Sequence, residues 1–202
     1  ECAKDFKPAQ LELGGNNPVV VLDDADITAA ANGVVELLTQ LNGQWCRALG
    51  RLIVQDSIQD AFLEAVLARL AEVRLGDSLS PESDMGPIIH SGHKAMLEGR
   101  IAEHVGQGGK AHSSTPLPDL PGNFMAPTLI TGVASEAAQE EIFGPVATVH
   151  TFSTDAEAVA LANGTPFGLE GYVVVTDTDR ALAVARKVRA GEVNVNGSTI
   201  MG

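Results

Sequence analysis

Apolar residues in this chain gather in two kinds of run. Residues 18–22 (PVVVL) form an unbroken β-branched stretch, as a strand does when both of its faces are covered. Residues 51–55, 128–131, 146–152, 172–176 and 192–196 read as further strands. Between these runs apolar positions recur at helical spacing. Ile27, Ala31, Val34, Val35, Leu38 and Leu41 share one face of a helix that Asp24 or Asp26 can cap. Ile58, Phe62, Val66, Leu70 and Val73 share a face of a second, opened by Ser57 and Asp60 in capping-box fashion. Residues 94–105 predict a third helix with Leu97, Ile101 and Val105 inward, 155–162 a short fourth, and 179–189 a fifth ended near Gly191. Residues 75–87 and 113–123 read as loops from their Gly, Asp, Ser and Pro content. This alternation predicts a three-layer α/β/α domain with a mostly parallel sheet.

Composition narrows what such a domain does. The 202 residues, 45% of them hydrophobic, suffice for one substantial core. A formal charge of -13 and a pI near 4.6 argue against nucleic acid or an anionic membrane surface as partner. With only Cys2 and Cys46 present, a disulfide scaffold is not expected, and a reducing compartment such as the cytoplasm is. No signal peptide or membrane-spanning run stands out. The sequence opens without methionine and closes in a loop-like phrase at Met201 and Gly202, so it reads as part of something longer.

Metal chemistry has little support. Asp23 and Asp24 are accounted for by helix capping and the helix dipole, with no second ligand cluster beside them. His90, His93 and His104 lack the cysteine partners or the HExxH pattern of a zinc site and read as helix-start and surface histidines.

Three stretches are too irregular for plain core. In LNGQWC (residues 41–46) a helix-like run breaks at Gly43 and leads to a lone cysteine. Cys46 is either an ordinary buried thiol or a nucleophile whose thiolate is favoured by nearby amides or a base. LELGGNNP (residues 11–18) sets Glu12 between two leucines, a setting that desolvates a carboxylate and raises its pKa toward a general base, or else forms a turn with Glu12 outward. EEIFGPV (residues 140–146) joins two acids to Ile142, Phe143 and a Gly-Pro turn, and read alone is a loop with an aromatic anchor.

Taken together, these stretches resemble the aldehyde dehydrogenase superfamily. LELGGNNP, NGQWC, GPII after Asp84 and Met85, NFMAPTLI, EEIFGPV, TPFGL and AGEVNVN occur in the family's order and rough spacing, with 34 positions from Glu12 to Cys46. The resemblance covers nearly the whole chain and implies that residues 1–202 are a catalytic domain. It implies that Cys46 adds to an aldehyde to give a thiohemiacetal and then a thioester, that Glu12 activates the hydrolytic water, and that the Cys46 N–H is half of an oxyanion hole. Glu141 resembles the residue that binds the nicotinamide ribose, and Phe143 the one beside the nicotinamide. The cofactor so implied is NAD or NADP, the substrate a small-molecule aldehyde, and the full-length parent a homo-oligomer. The family's dinucleotide-binding half precedes the glutamate motif and its oligomerisation strands follow AGEVNVN, so neither is expected here. A CoA-acylating relative is an alternative within the family, though Glu12 favours hydrolysis. A silent module of the same fold is the alternative outside catalysis. Two departures stand out. Arg47 follows the cysteine where a small or apolar residue is usual, with consequences for the pocket mouth or the thiol, and Leu41 stands where the family often has Asn, with Asn42 one place along.

Overall fold

Each βα alternation in the sequence becomes one crossover of a layered sheet. The computed structural model describes residues 1–197; the loop-like ending at Met201 and Gly202 lies outside them. The strands are β1 (Asn17–Val21), β2 (Leu49–Gln55), β3 (Lys110–His112), β4 (Thr128–Thr131), β5 (Val146–Phe152), β6 (Glu170–Val174) and β7 (Glu192–Val195). The helices are α1 (Ile27–Thr39), α2 (Gln59–Leu70), α3 (Ser91–Gly106), α4 (Asp155–Asn163) and α5 (Thr178–Ala185). The sheet runs β3-β4-β5-β2-β1-β6-β7, and every neighbouring pair is parallel except β3 with β4.

Alternation along the strands divides the core between two faces. Val19, Val21, Leu52, Val54, Leu129, Ala147 and Val149 point to one face, where they pack with the apolar stripes of α1 and α2. Val20, Ile53 and Val173 point to the other, under α4 and α5, and Ile130 and Val146 join Leu97 of α3 on that same side. Central strands are thereby apolar on both faces, the property read in PVVVL.

Several details differ from the sequence reading. α1 ends at Thr39, so Leu41 is not on its apolar face but 66% exposed. Asp26 caps α1 as expected, accepting from the Ala29 N–H, whereas α2 has no side-chain cap and the Ser57 and Asp60 pair does not serve it. α3 begins at Ser91, three residues early, because His90 Nδ1 accepts the His93 N–H as a cap. His104 rather than Val105 faces inward on α3, with Val105 44% exposed. The short, polar strand β3 carries no apolar signature and pairs only at the sheet edge, which hid it. α5 stops at Ala185 and the strand expected at 172–176 occupies 170–174. Among the described residues no helix is long and apolar enough to cross a membrane.

Candidate active site

LELGGNNP enters β1, the Cys46 turn enters β2, NFMAPTLI enters β4, EEIFGPV enters β5, TPFGL enters β6 and AGEVNVN enters β7. Because these six strands are parallel, all of those segments reach one edge of the sheet. Open parallel sheets more often build sites at the carboxyl ends of strands. Here the irregular, glycine-rich loops crowd the amino ends.

Cys46 occupies the turn between α1 and β2 and is exposed, so the ordinary buried-thiol reading does not hold. Leu41, Asn42 and Gly43 have φ of 49°, 60° and 68°, a left-handed run that swings the chain out of α1. Asn42 is locked there by its own amide, which accepts the Gly86 N–H at 2.8 Å and donates to the Pro87 carbonyl at 3.1 Å. It therefore stitches GPII to the cysteine loop rather than facing Cys46. The turn itself is held by its carbonyls. Asn17 Nδ2 donates to those of Cys46 (2.9 Å) and Ala48 (2.8 Å), and the Tyr172 hydroxyl donates to that of Arg47 (3.2 Å). Burial pushes the Tyr172 phenol up to about 12, so it stays a donor at neutral pH. Among the described residues no hydrogen bond engages the Cys46 N–H.

EEIFGPV closes over this turn. Glu141 Oε1 accepts the Gly15 N–H at 3.1 Å, and its Oε2 fills the space that a Cβ on Gly14 would need, 2.2 Å from that position. A Cβ on Gly43 would lie 2.5 Å from the Gly144 carbonyl carbon and the Pro145 nitrogen. A Cβ on Gly15 would lie 2.8 Å from the Cys46 carbonyl oxygen. Gly15 and Gly43 are thus points of backbone contact between the motifs, and Gly14 makes room for the Glu141 carboxylate. Phe143, next to Glu141, is 41% exposed and has φ 58°.

Glu12 is placed differently. It sits on an exposed arm, residues 1–13, between Leu11 and Leu13 that are themselves 72% and 64% exposed. The desolvated setting expected for it is absent, since nothing packs over the arm, and its described hydrogen bond is to Gln10 at 3.2 Å. The structure therefore brings Cys46, Glu141 and Phe143 to one rim and leaves Glu12 outside it.

Arg47 does not face the cysteine as a free cation. Its guanidinium pairs with Glu170, whose side chain is 2% exposed, and with Glu192 at 3.1 Å, while Asn194 Nδ2 donates to Glu170 at 2.6 Å. No signal in GLEGY marked Glu170 as a buried acid; only the pairing of β6 with β1 and β7 puts it beside the turn. Asn17 was equally hidden, because an Asn at a strand entry reads as a turn residue. Among the described residues no group of three or more His, Cys, Asp or Glu is arranged to hold a metal.

An exposed thiol on a turn that meets a glycine-rich loop and EEIFGPV at the amino edge of a mostly parallel sheet is the arrangement that the comparisons with known proteins place in a family. The chain belongs to the aldehyde dehydrogenase family, whose sequence profile matches residues 1–202. It is 39% identical to the glutarate-semialdehyde dehydrogenase of Pseudomonas putida over 99% of this chain and 42% of that protein. The crystal structure of an NAD-dependent aldehyde dehydrogenase from Sinorhizobium meliloti superposes with a TM-score of 0.92 at 37% identity, covering 99% of this chain and 40% of that one. A betaine aldehyde dehydrogenase from Staphylococcus aureus, solved with NAD+, gives 0.88 at 35% identity over 96% of this chain and 40% of that one. The chain thus spans about two fifths of the length of the relatives it matches.

Proposed function

We propose that residues 1–202 are the catalytic domain of a longer, cytoplasmic, homo-oligomeric aldehyde dehydrogenase that oxidises a small aldehyde to its acid with NAD or NADP. The observation that carries this reading is the meeting of the cysteine, glycine and EEIFGPV loops at one edge. In it, Cys46 Sγ adds to the aldehyde carbon, and the oxygen takes up negative charge against the Cys46 N–H. Asn17 and Tyr172 hold the three carbonyls of the turn, so that N–H keeps its direction. A bound NAD or NADP would supply the hydride acceptor that this oxidation needs. Of this chain, Glu141 and Phe143 suit its nicotinamide end: a carboxylate held by Gly15 can accept from a ribose hydroxyl, and an exposed ring can cover a flat heterocycle. Residues outside this chain would hold the phosphates: α1, α4 and α5 direct their carboxyl ends, the negative ends of their dipoles, to this edge, and the one amino end there among the described residues, that of α3, is engaged by His90 and His93. Glu12 takes a proton from water as that water attacks the thioester, releasing the acid and the Cys46 thiolate. That role needs the arm to fold back over the cysteine, which the missing part of the protein would bring about.

The test is NAD(P)H formation by the full-length protein. Cys46→Ala is expected to lower turnover by about a thousandfold or more, the scale seen when a covalent nucleophile is removed. Iodoacetamide should modify Cys46 faster than Cys2 in the same protein. Retained turnover in Cys46→Ala would overturn the reading.

A further inference from the structure

Phe143 holds an unusual backbone for a bulky side chain. Its φ of 58° is left-handed, a region where an aromatic residue is an outlier that its surroundings must enforce. Part of that enforcement comes from Gly144 behind it, whose missing Cβ leaves the space taken by the Leu97 side chain of α3. A further part comes from His93. Its Nε2 lies 2.8 Å from the Phe143 carbonyl oxygen, and its ring meets the Phe143 ring edge to face, with centroids 6.4 Å apart at 72°. A carbonyl only accepts, so Nε2 carries the hydrogen of this bond.

His93 is itself fixed. Its N–H is capped by His90 Nδ1 at 3.0 Å in the first turn of α3, and the Ile89 N–H just before donates to Gln44 Oε1, two residues from Cys46. The α3 start is thereby tied to both the cysteine loop and the EEIFGPV loop.

We infer that His93 is a positioning residue for the cofactor site: by hydrogen-bonding the Phe143 carbonyl and bracing its ring, it holds Phe143 in the left-handed conformation in which that ring meets the nicotinamide. The inference rests on the proposed role of Phe143. Without His93 the loop relaxes toward ordinary φ, and a smaller fraction of molecules presents the ring correctly. Apparent affinity for the cofactor falls in proportion to that fraction.

The experiment compares full-length wild type with His93→Ala, His93→Leu and His93→Gln. Gln carries an N–H near the place of the imidazole Nε2, whereas Ala and Leu cannot donate. Expected is a rise of about tenfold in KM for NAD or NADP in His93→Ala and His93→Leu, an unchanged KM for the aldehyde, and a return to within about twofold of wild type in His93→Gln. Amide hydrogen exchange across residues 139–146 is read on the same proteins. It should quicken in His93→Ala and His93→Leu and return in His93→Gln. Unchanged cofactor KM and exchange in the two non-donating variants would overturn the inference, as would a Gln variant as impaired as Ala. A wild-type protein with no aldehyde oxidation would instead refute the proposed function, and the exchange comparison would then decide by itself whether His93 holds Phe143.

Discussion

His150 shows how far one side chain's behaviour depends on its place in the sheet. It lies on β5 two residues from Thr148, whose hydroxyl contacts its Nε2 at 2.9 Å, and only 7% of it is exposed. Burial, with the Arg51 guanidinium adding, lowers its pKa from the usual 6.5 to about 4. Below pH 6.5 the unfolded chain therefore takes up a proton that the folded chain refuses until about pH 4. His150 leaves stability untouched above that window and removes about 3 kcal/mol as the pH falls through it. Urea unfolding of the chain at neutral pH and near its lower limit should show this loss in the wild type. His150→Gln, which stays neutral, is expected to lose much less over the same pH range. Equal losses in the two proteins would show that other groups carry the acid sensitivity. Arg51 beside it remains a cation although burial lowers it to about 10, since three backbone carbonyls, of Asn16, Leu161 and Ala162, receive its guanidinium.

Among the elements, the left-handed run after α1 does most to set the site. An N-G pair is a recognisable turn signal in the sequence, and Gly43 stands where the helical periodicity ends. What the periodicity could not reveal is that Leu41 leaves the helix before its expected place. The three consecutive positive φ angles are stabilised by the Asn42 amide and by contact of Gly43 with Gly144 and Pro145, which lie far along the chain. Gly43→Ala should therefore cost of order 3 kcal/mol, combining an unfavourable φ with a Cβ pressed against backbone. It should also slow alkylation of Cys46 by moving the turn. Denaturant midpoints and iodoacetamide rates measure both. An Ala variant as stable as wild type would mean that the two loops can part at little cost, and the contact would then not define the site.

At the scale of the whole molecule, the proposed reaction depends on how a dinucleotide would be held. This edge receives the carboxyl ends of α1, α4 and α5, and in the proposed reading Glu141 and Phe143 would meet only the nicotinamide end of a dinucleotide. Holding two reactants in reacting geometry contributes roughly 7 to 11 kcal/mol to such a reaction. Residues 1–202 expressed alone are accordingly expected to form no measurable NAD(P)H from aldehydes, in contrast to the full-length protein. Turnover by the chain within about tenfold of the full-length protein would show that the phosphate-binding groups lie inside it.

The fold class and the identity of the chemical groups were legible in the residue order. Apolar period distinguishes doubly covered strands such as PVVVL from helices such as α1, and parallel crossovers follow from their alternation. LELGGNNP, NGQWC and EEIFGPV are local strings, readable without knowing what they touch. Their relation was decided only in three dimensions. Glu12 looked desolvated between two leucines, but burial is a property of what packs above a residue, and over that arm nothing does. Glu170, Asn17 and His93 looked ordinary, yet each is paired across the sheet or between loops, with the partners of Glu170 and Asn17 supplied by strand register. Sequence by itself determined which groups are present and the layers that carry them. Tertiary structure decided which of them meet, because contacts between loops on different strands depend on sheet order and register, and no local pattern encodes either.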